Sequence, residues 1–264
     1  EMKTKPTQLA VKLMRENGIH PDFILCRGKK ALDDERKKKI EKYSNIKYGN
    51  IISMPDVIGE GTANTIYVIP RDLEKEKLAE KIMDQLKLSK KKDPDWKNWD
   101  GAVNRLINPS KKIRIAMIVK YVSTGDYQLT DSYLSVNEAL KHAGANNDCN
   151  VEITWINAKD FEDGDSVESL KDFDGILVPG GFGTSGVEGK IASIRYAREN
   201  DIPFLGLCLG LQLSVIEYAR NVCNLNNAHS TENDEYTEHP VIDILPDQID
   251  IENKGGTMRL GSYR

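Results

Sequence analysis

The rhythm of apolar positions changes near residue 110. Before that point short apolar runs alternate with charged stretches of helical period. Pro6 suits the first turn of a helix running to about Asn17, and Gly18 suits its stop. Phe23-Ile24-Leu25-Cys26 predicts a short buried strand, Asp33 to Tyr43 a charged helix, and Asn50-Ile51-Ile52-Ser53 a second strand. Leu73, Leu78, Ile82 and Leu86 predict one helix from Asp72 to Leu86. The stretch from Lys87 to Asp95 is basic, poor in apolar residues and closed by Pro94, which makes it the best domain boundary in the chain. A short helix around Trp99 to Leu106 follows, ending at Asn108-Pro109.

From Lys112 onward, continuous apolar runs alternate with longer amphipathic ones. Strands are predicted at 113–119, 151–156, 175–178 and 203–207, and helices at 132–142, 187–199 and 209–221. Strands separated by helices of this length imply right-handed crossovers and an α/β fold with a doubly wound parallel sheet. Working groups in such sheets gather at the carboxyl ends of the strands.

Composition refines this picture only slightly. The 264 residues, 39% apolar and 30% charged, suit one large domain or one domain plus part of another. No apolar run approaches the ~20 residues of a membrane span, and no export signal is evident at the start. Cys26, Cys149, Cys208 and Cys223 lack CxxC spacing, so reduced thiols and a cytoplasmic setting are expected. Charge is uneven. Residues 1–50 hold 13 Lys/Arg against 7 Asp/Glu, whereas residues 201–264 hold 4 against 10. Solvated faces account for this as well as an anion site in the first segment does.

The strongest chemical signal is Gly206-Leu207-Cys208-Leu209-Gly210-Leu211-Gln212. An apolar strand ends at Cys208 and a helix begins directly after it, with small residues where strand and helix must approach. This is the pattern of a nucleophile elbow with Cys in place of Ser. A helix N-terminus beside the sulfur favours the thiolate. The competing reading is a buried Cys acting as a small hydrophobe; the flanking glycines favour the elbow. Pro179-Gly180-Gly181-Phe182-Gly183 follows another strand, one βα unit earlier. Glycines there would let two backbone N–H groups meet the oxyanion formed when a thiolate attacks an amide. Alone it would be an ordinary turn; the pairing makes it specific.

Together the two strings resemble class I glutamine amidotransferases, which hydrolyse glutamine and pass ammonia to a synthetase. Three further segments resemble the CTP synthase family: Glu217-Tyr218-Ala219-Arg220-Asn221-Val222, Asn227-Ala228-His229-Ser230-Thr231-Glu232, and Gly255-Gly256-Thr257-Met258-Arg259-Leu260-Gly261. Near the start, Lys3-Thr4-Lys5-Pro6-Thr7-Gln8 is similar to that family's pyrimidine-nucleotide loop. The resemblance implies a ligase of pyrimidine biosynthesis. It places the end of an α/β amidoligase domain at 1–87, a linker with a short helix at 88–111 and the amidotransferase domain at 112–264. Cys208 would be the nucleophile. Gly181, Leu209, Gly210, Leu211, Gln212 and Glu232 would bind glutamine, the Glu232 carboxylate answering its α-ammonium. Lys3, Thr4, Lys5, Pro6, Thr7, Gln8 and Lys39 would contact UTP or the inhibitor CTP. Arg27, Pro55, Asp56 and Val57 would lie near ATP.

The implied enzyme uses ATP and Mg²⁺, takes GTP as an activator, assembles as a homotetramer, and involves neither nucleic acid nor membrane. No metal site is expected in this chain.

Some features depart from the family pattern. Of His20, His142, His229 and His239, none stands in the His-x-Glu string that supplies the general base and its orienting Glu. His229 replaces a usual Asn, and Val241 follows His239-Pro240. After the Gly turn, Thr184-Ser185-Gly186 replaces a usual Arg-Gly, which weighs against GTP activation through this loop. Ile58 to Asn64 is longer than usual, which weakens the ATP assignment. No phosphate loop GxxxxGK[ST] or acidic metal cluster precedes Lys3. The chain is therefore read as a piece of something longer, expected to hydrolyse glutamine very poorly by itself and to make no CTP. Rival readings are the glutaminase domain of another class I amidotransferase, such as a GMP synthase-like one, and a non-catalytic module sensing glutamine or nucleotide. The strings at Lys3 and Gly255 oppose the first, and the presence of Cys208 and Glu232 opposes the second.

Overall fold

A computed structural model of the chain describes residues 3–59, 61–90, 92–120, 123–124, 127–128 and 130–244. The predicted Gly255–Gly261 string lies outside them. Two compact units are present, residues 1–109 and 110–264. Among the described residues no helix is long and apolar enough to cross a membrane.

In the first unit, helix α1 (Lys5–Glu16) starts with Pro in its first turn and ends at Asn17, after which Gly18 takes a φ of 78°. Strand β1 (Ile24–Gly28) leads to helix α2 (Asp34–Ser44). The Asp33 carboxylate caps α2 by accepting from the Arg36 N–H at 2.9 Å. Strand β2 (Ile51–Pro55) pairs in parallel with β1, Ile24 opposite Ile51. Val11, Ile40, Ile46 and Ile51 form a small core with Ile24, Cys26 and Leu32 against it. The predicted burial of β1 needs correction. Its residues alternate in exposure and Leu25 is exposed, whereas Ile51, Ile52 and Ser53 of its partner β2 are all buried, so the cover over Leu25's face reaches β2 and not β1.

The single helix predicted from Asp72 to Leu86 is two, α3 (Ile69–Lys75) and α4 (Leu78–Gln85). Lys77 sits between them in the left-handed region, at φ 54°. The five-residue step from Leu73 to Leu78 cannot keep both on one helical face, and the break turns Leu78 inward. Helix α5 (Lys97–Ile107) completes the unit. Exposed Lys90, in the basic stretch before α5, pairs with Glu80 of α4 and with Asp93.

In the second unit the chain runs through β3 (Lys111–Val119), the short antiparallel pair β4 (Ser123–Thr124) and β5 (Tyr127–Gln128), and α6 (Leu134–Asn146). It continues with β6 (Cys149–Asn157), α7 (Ala158–Glu162), β7 (Gly175–Val178), α8 (Val187–Glu199), β8 (Phe204–Gly206) and α9 (Leu209–Asn221). Two short strands, β9 (His229–Ser230) and β10 (Pro240–Ile242), pair in parallel beyond them. The main sheet has the order β6-β3-β7-β8, every neighbour parallel.

Alternate residues of the central strands bury on opposite faces. Ala116, Ile118, Ile176 and Val178 pack with Ile191, Ile194, Leu213 and Ile216 of α8 and α9. Met117, Val119 and Leu177 pack with Tyr133, Val136, Leu140 and Trp155 on the other side. Each such fully buried aliphatic side chain contributes about 1.5–3 kcal/mol. Sandwiched between two apolar layers, the sheet cannot slide, and its carboxyl-end loops are fixed with it. The doubly wound parallel α/β prediction agrees with this arrangement.

Candidate active site

The carboxyl ends of β7 and β8 carry the two glycine-containing strings. Strand β8 stops at Gly206, and α9 starts at Leu209. Between them Cys208 adopts φ 52°, ψ −109°, a conformation that L-residues avoid. Three close approaches hold it there. A Cβ on Gly206 would lie 2.6 Å from the Gly210 carbonyl, and one on Gly210 would collide with the Val178 carbonyl oxygen. The Leu207 N–H donates to that same Val178 oxygen at 2.9 Å. The chain therefore makes a sharp strand-to-helix turn that projects the Cys208 side chain outward, and the residue is exposed.

The Gly180–Gly183 turn lies beside it. From the position of a Cβ on Gly180, the Cys208 Cβ is 3.4 Å away and its sulfur 3.8 Å. From the corresponding point on Gly181, the Leu209 Cδ2 is 3.4 Å away and the Lys190 Nζ 3.6 Å. A Cβ at either glycine would sit in van der Waals contact with the elbow, so turn and elbow are packed directly against each other. Lys120, just past β3, secures the turn by donating from its Nζ to the Phe182 carbonyl at 2.7 Å. Gly180, Gly181, Cys208 and Leu209 are thus gathered in one place. Gly210 and Leu211 lie in the first turn of α9, where the N–H groups of Leu211 and Gln212 donate to the Cys208 carbonyl at 3.0 and 3.1 Å. Gln212 is half-buried there.

Glu232 stands farther along, exposed, in the turn after β9; its N–H donates to the Ser230 Oγ at 3.2 Å. Strand β9 packs on α9. His229 begins that strand with its Nδ1 accepting from the Ser230 N–H at 2.9 Å, which fixes the ring against its own backbone. Burial, and then the Arg220 charge, lower its pKa. Neither His229 nor His239 is read as a catalytic base.

Within the first unit, Lys3, Lys5, Pro6 and Gln8 line one cavity of about 1040 Å³ with Lys12, Arg15 and Tyr43. Gln8 donates from Nε2 to the Thr4 Oγ1 at 3.0 Å, which draws the Lys3-to-Gln8 segment together. Thr7 is on the same first turn of α1. Lys39 is exposed on α2 and does not line that cavity. Arg27 meets Asp56 at 2.9 Å where β1 and β2 end, with Pro55 and Val57 on either side of Asp56. Lys12 and Arg15, one and two turns along α1, were not picked out from the sequence. Their spacing from Gln8 at i+4 and i+7 is the signal that would have found them. Lys190 is also buried at the elbow; it interrupts the apolar Val187, Ile191, Ile194 face of α8, which would have marked it.

Comparison with known proteins is consistent along the chain. Residues 128–264 match the family described as Glutamine amidotransferase class-I, and residues 1–88 match CTP synthase N-terminus. The CTP synthase of Methanocaldococcus jannaschii is 48% identical over 100% of this chain and 48% of its own length. That of Clostridium beijerinckii is 49% identical over 100% of this chain and 47% of its own. A solved structure, the glutaminase domain of Trypanosoma brucei CTPS with bound acivicin, shares 35% identity over 51% of each chain, with a TM-score of 0.47. The chain spans about half the length of the curated relatives it matches. With one family matched over more than half of its residues, through the strand–Cys–helix turn and the glycine turn facing it, the chain belongs to the class I glutamine amidotransferases.

Proposed function

We propose that this chain supplies the glutamine-hydrolysing centre of a CTP synthase. The observation that carries the reading is the outward-held Cys208 beside the Gly180–Gly181 turn, 3.8 Å from sulfur to the nearest Cβ direction. The thiolate attacks the glutamine side-chain carbonyl, and the electron pair of that C=O moves to oxygen. The N–H groups of Gly181 and of Leu209, the first residue of α9, are the donors for this oxyanion. Collapse breaks the C–N bond and releases ammonia, leaving a thioester that water hydrolyses to glutamate. In the family, a His oriented by a Glu takes the thiol proton and returns it to the leaving nitrogen. Gln212 and Glu232 are read as glutamine contacts, Glu232 facing the α-ammonium.

The first unit is read as the end of the amidoligase domain, residues 1–87, joined through 88–111 to the amidotransferase domain, 112–264. Four cations and a single carboxylate, Glu16, among the residues lining its cavity favour a polyanion such as the triphosphate of UTP or of CTP as inhibitor. ATP and Mg²⁺ would activate the 4-oxygen of UTP in the complete enzyme, a homotetramer. Among the described residues no group of three or more His, Cys, Asp or Glu could hold a metal ion, and Arg27 is already paired with Asp56, so no step is assigned here to either group.

The test is CTP formation by the full-length protein, fed either glutamine or ammonia. Cys208→Ala should abolish the glutamine-dependent reaction and spare the ammonia-dependent one. A glutamine-analogue electrophile should label Cys208 ahead of Cys26, whose thiol burial holds above its usual pKa, and ahead of exposed Cys223. Preferential labelling of Cys223 would refute the assignment.

A further inference from the structure

Beneath the glycine turn lies a buried cation. Lys190, in the first turn of α8, is only 1% exposed, and its Nζ has no hydrogen-bond partner among the described residues. Burying an ammonium in that condition is among the costliest arrangements a fold can hold, and an apolar side chain would fill the space without the penalty. Its surroundings show where its charge is directed. The Nζ lies 3.6 Å from the Cβ direction of Gly181, on the same side as the Leu209 side chain. Lys120 reaches the same turn from β3, its Nζ 3.5 Å from the Cβ direction of Gly183. Glu162 on α7 is the carboxylate of this neighbourhood, but its oxygens accept from the N–H groups of Gly186 and Glu188 at 3.1 and 2.9 Å. Across the Gly180–Gly181 turn stands the sulfur of Cys208.

We propose that Lys190 is a positioning residue for amide hydrolysis, its ammonium lying behind the Gly180–Gly181 turn so that the substrate oxyanion in front of the turn meets a fixed positive charge. The inference rests on the reading of Cys208 as a glutamine-directed nucleophile. Lys190 gives up no proton in this step. The sulfur–carbon bond forms, the carbonyl electron pair moves to oxygen, and the resulting charge is balanced through the turn. Among the described residues the ammonium has no hydrogen-bond partner at rest, and the charge that this role gives it to face develops only during the reaction. Burial, and secondarily the like charge of Lys120, lower its pKa to about 8, with Glu162 opposing. Its charge is present below that pH and fades as the pH rises through it, so the assistance should decline on the alkaline side.

Lys190→Met, which keeps the length of the chain and suits a buried face, tests this in the full-length protein. Glutamine hydrolysis is followed either side of pH 8, beside thermal unfolding and mass-mapped alkylation of Cys208 by iodoacetamide. The expected result is a kcat lower by roughly tenfold with KM nearly unchanged, short of the roughly 10²–10³-fold loss for a direct oxyanion donor. The alkaline decline near pH 8 should vanish, Tm should hold or rise, and iodoacetamide should react as before. A variant with wild-type kcat and pH profile overturns the inference. Should Lys190→Met fail to fold, Lys190→Gln serves with the same readouts; failure of both to fold makes the role structural and overturns it too. A folded wild type that is alkylated at Cys208 yet does not hydrolyse glutamine removes the function itself, and this inference with it.

Discussion

The two candidate sites are made of different materials. Around Cys208 the essential geometry belongs to the backbone. Gly206 lets β8 meet the start of α9, Gly210 lets α9 meet the end of β7, and the Gly180–Gly181 turn packs directly on the elbow. The cavity along α1 is made of long side chains, Lys3, Lys5, Lys12 and Arg15, projecting from a helix that needs none of them in order to form. A backbone site fails as a unit, since one extra carbon displaces strand, turn and helix together. A side-chain site weakens by portions, because each ammonium adds a partly solvated contact. Precision against a developing charge favours the first design, and tolerance of a large, flexible polyanion favours the second.

Substitutions can break or sharpen that contrast. The largest effect is expected for Gly210→Ala, whose Cβ would strike the Val178 carbonyl oxygen. Denaturant unfolding should show a loss exceeding about 3 kcal/mol, or no soluble folded protein. Gly49→Ala is the control. It lies in a turn of the first unit with open space around it and should stay within about 0.5 kcal/mol of wild type. A mild Gly210→Ala would mean that elbow and sheet are not locked together as described.

A smaller effect is expected at the other site. Lys5→Ala should weaken UTP binding by the full-length protein by about 1–2 kcal/mol, with a loss that shrinks as salt is raised. Stability should be unaffected, because the side chain is exposed. Isothermal titration at two salt concentrations distinguishes this from misfolding. If Lys5→Ala leaves UTP and CTP binding untouched while impairing glutamine use, the α1 cavity has been given the wrong ligand.

Legibility followed the same division. Helices 187–199 and 209–221 could be delimited to the residue, because glycine, Cys208 and a dense apolar face mark their ends. The first unit is less legible. The helix break at Lys77 depends on a non-glycine residue entering the left-handed region, which propensity does not anticipate. Strand β1 resembles a buried strand because its apolar run is continuous, and only the packing shows that Leu25 is left exposed while Ile52 beside it on β2 is covered. The Cys elbow and the glycine turn were legible because both are local strings. Lys190 shows in the sequence only as a polar interruption of the 187, 191, 194 face; that its ammonium stays buried beside the turn, where a lysine on a helix normally reaches solvent, needs the packing.

The left-handed backbone at Cys208 has a consequence for how this protein would change if its chemistry were no longer required. At φ 52° a glycine would be more comfortable than any residue with a Cβ. Cys208→Gly should therefore raise the unfolding free energy by about 1 kcal/mol while removing the sulfur, which thermal unfolding alongside a glutaminase assay would register. On the proposed role of Cys208, a cysteine kept there would be a signature of active selection, set against a standing thermodynamic preference for something simpler. The neighbouring glycines carry no such signature, since they are needed for the sheet to close whether or not anything is hydrolysed. In a population of variants grown with ammonia and no demand for glutamine, position 208 should drift first and Gly206 and Gly210 last.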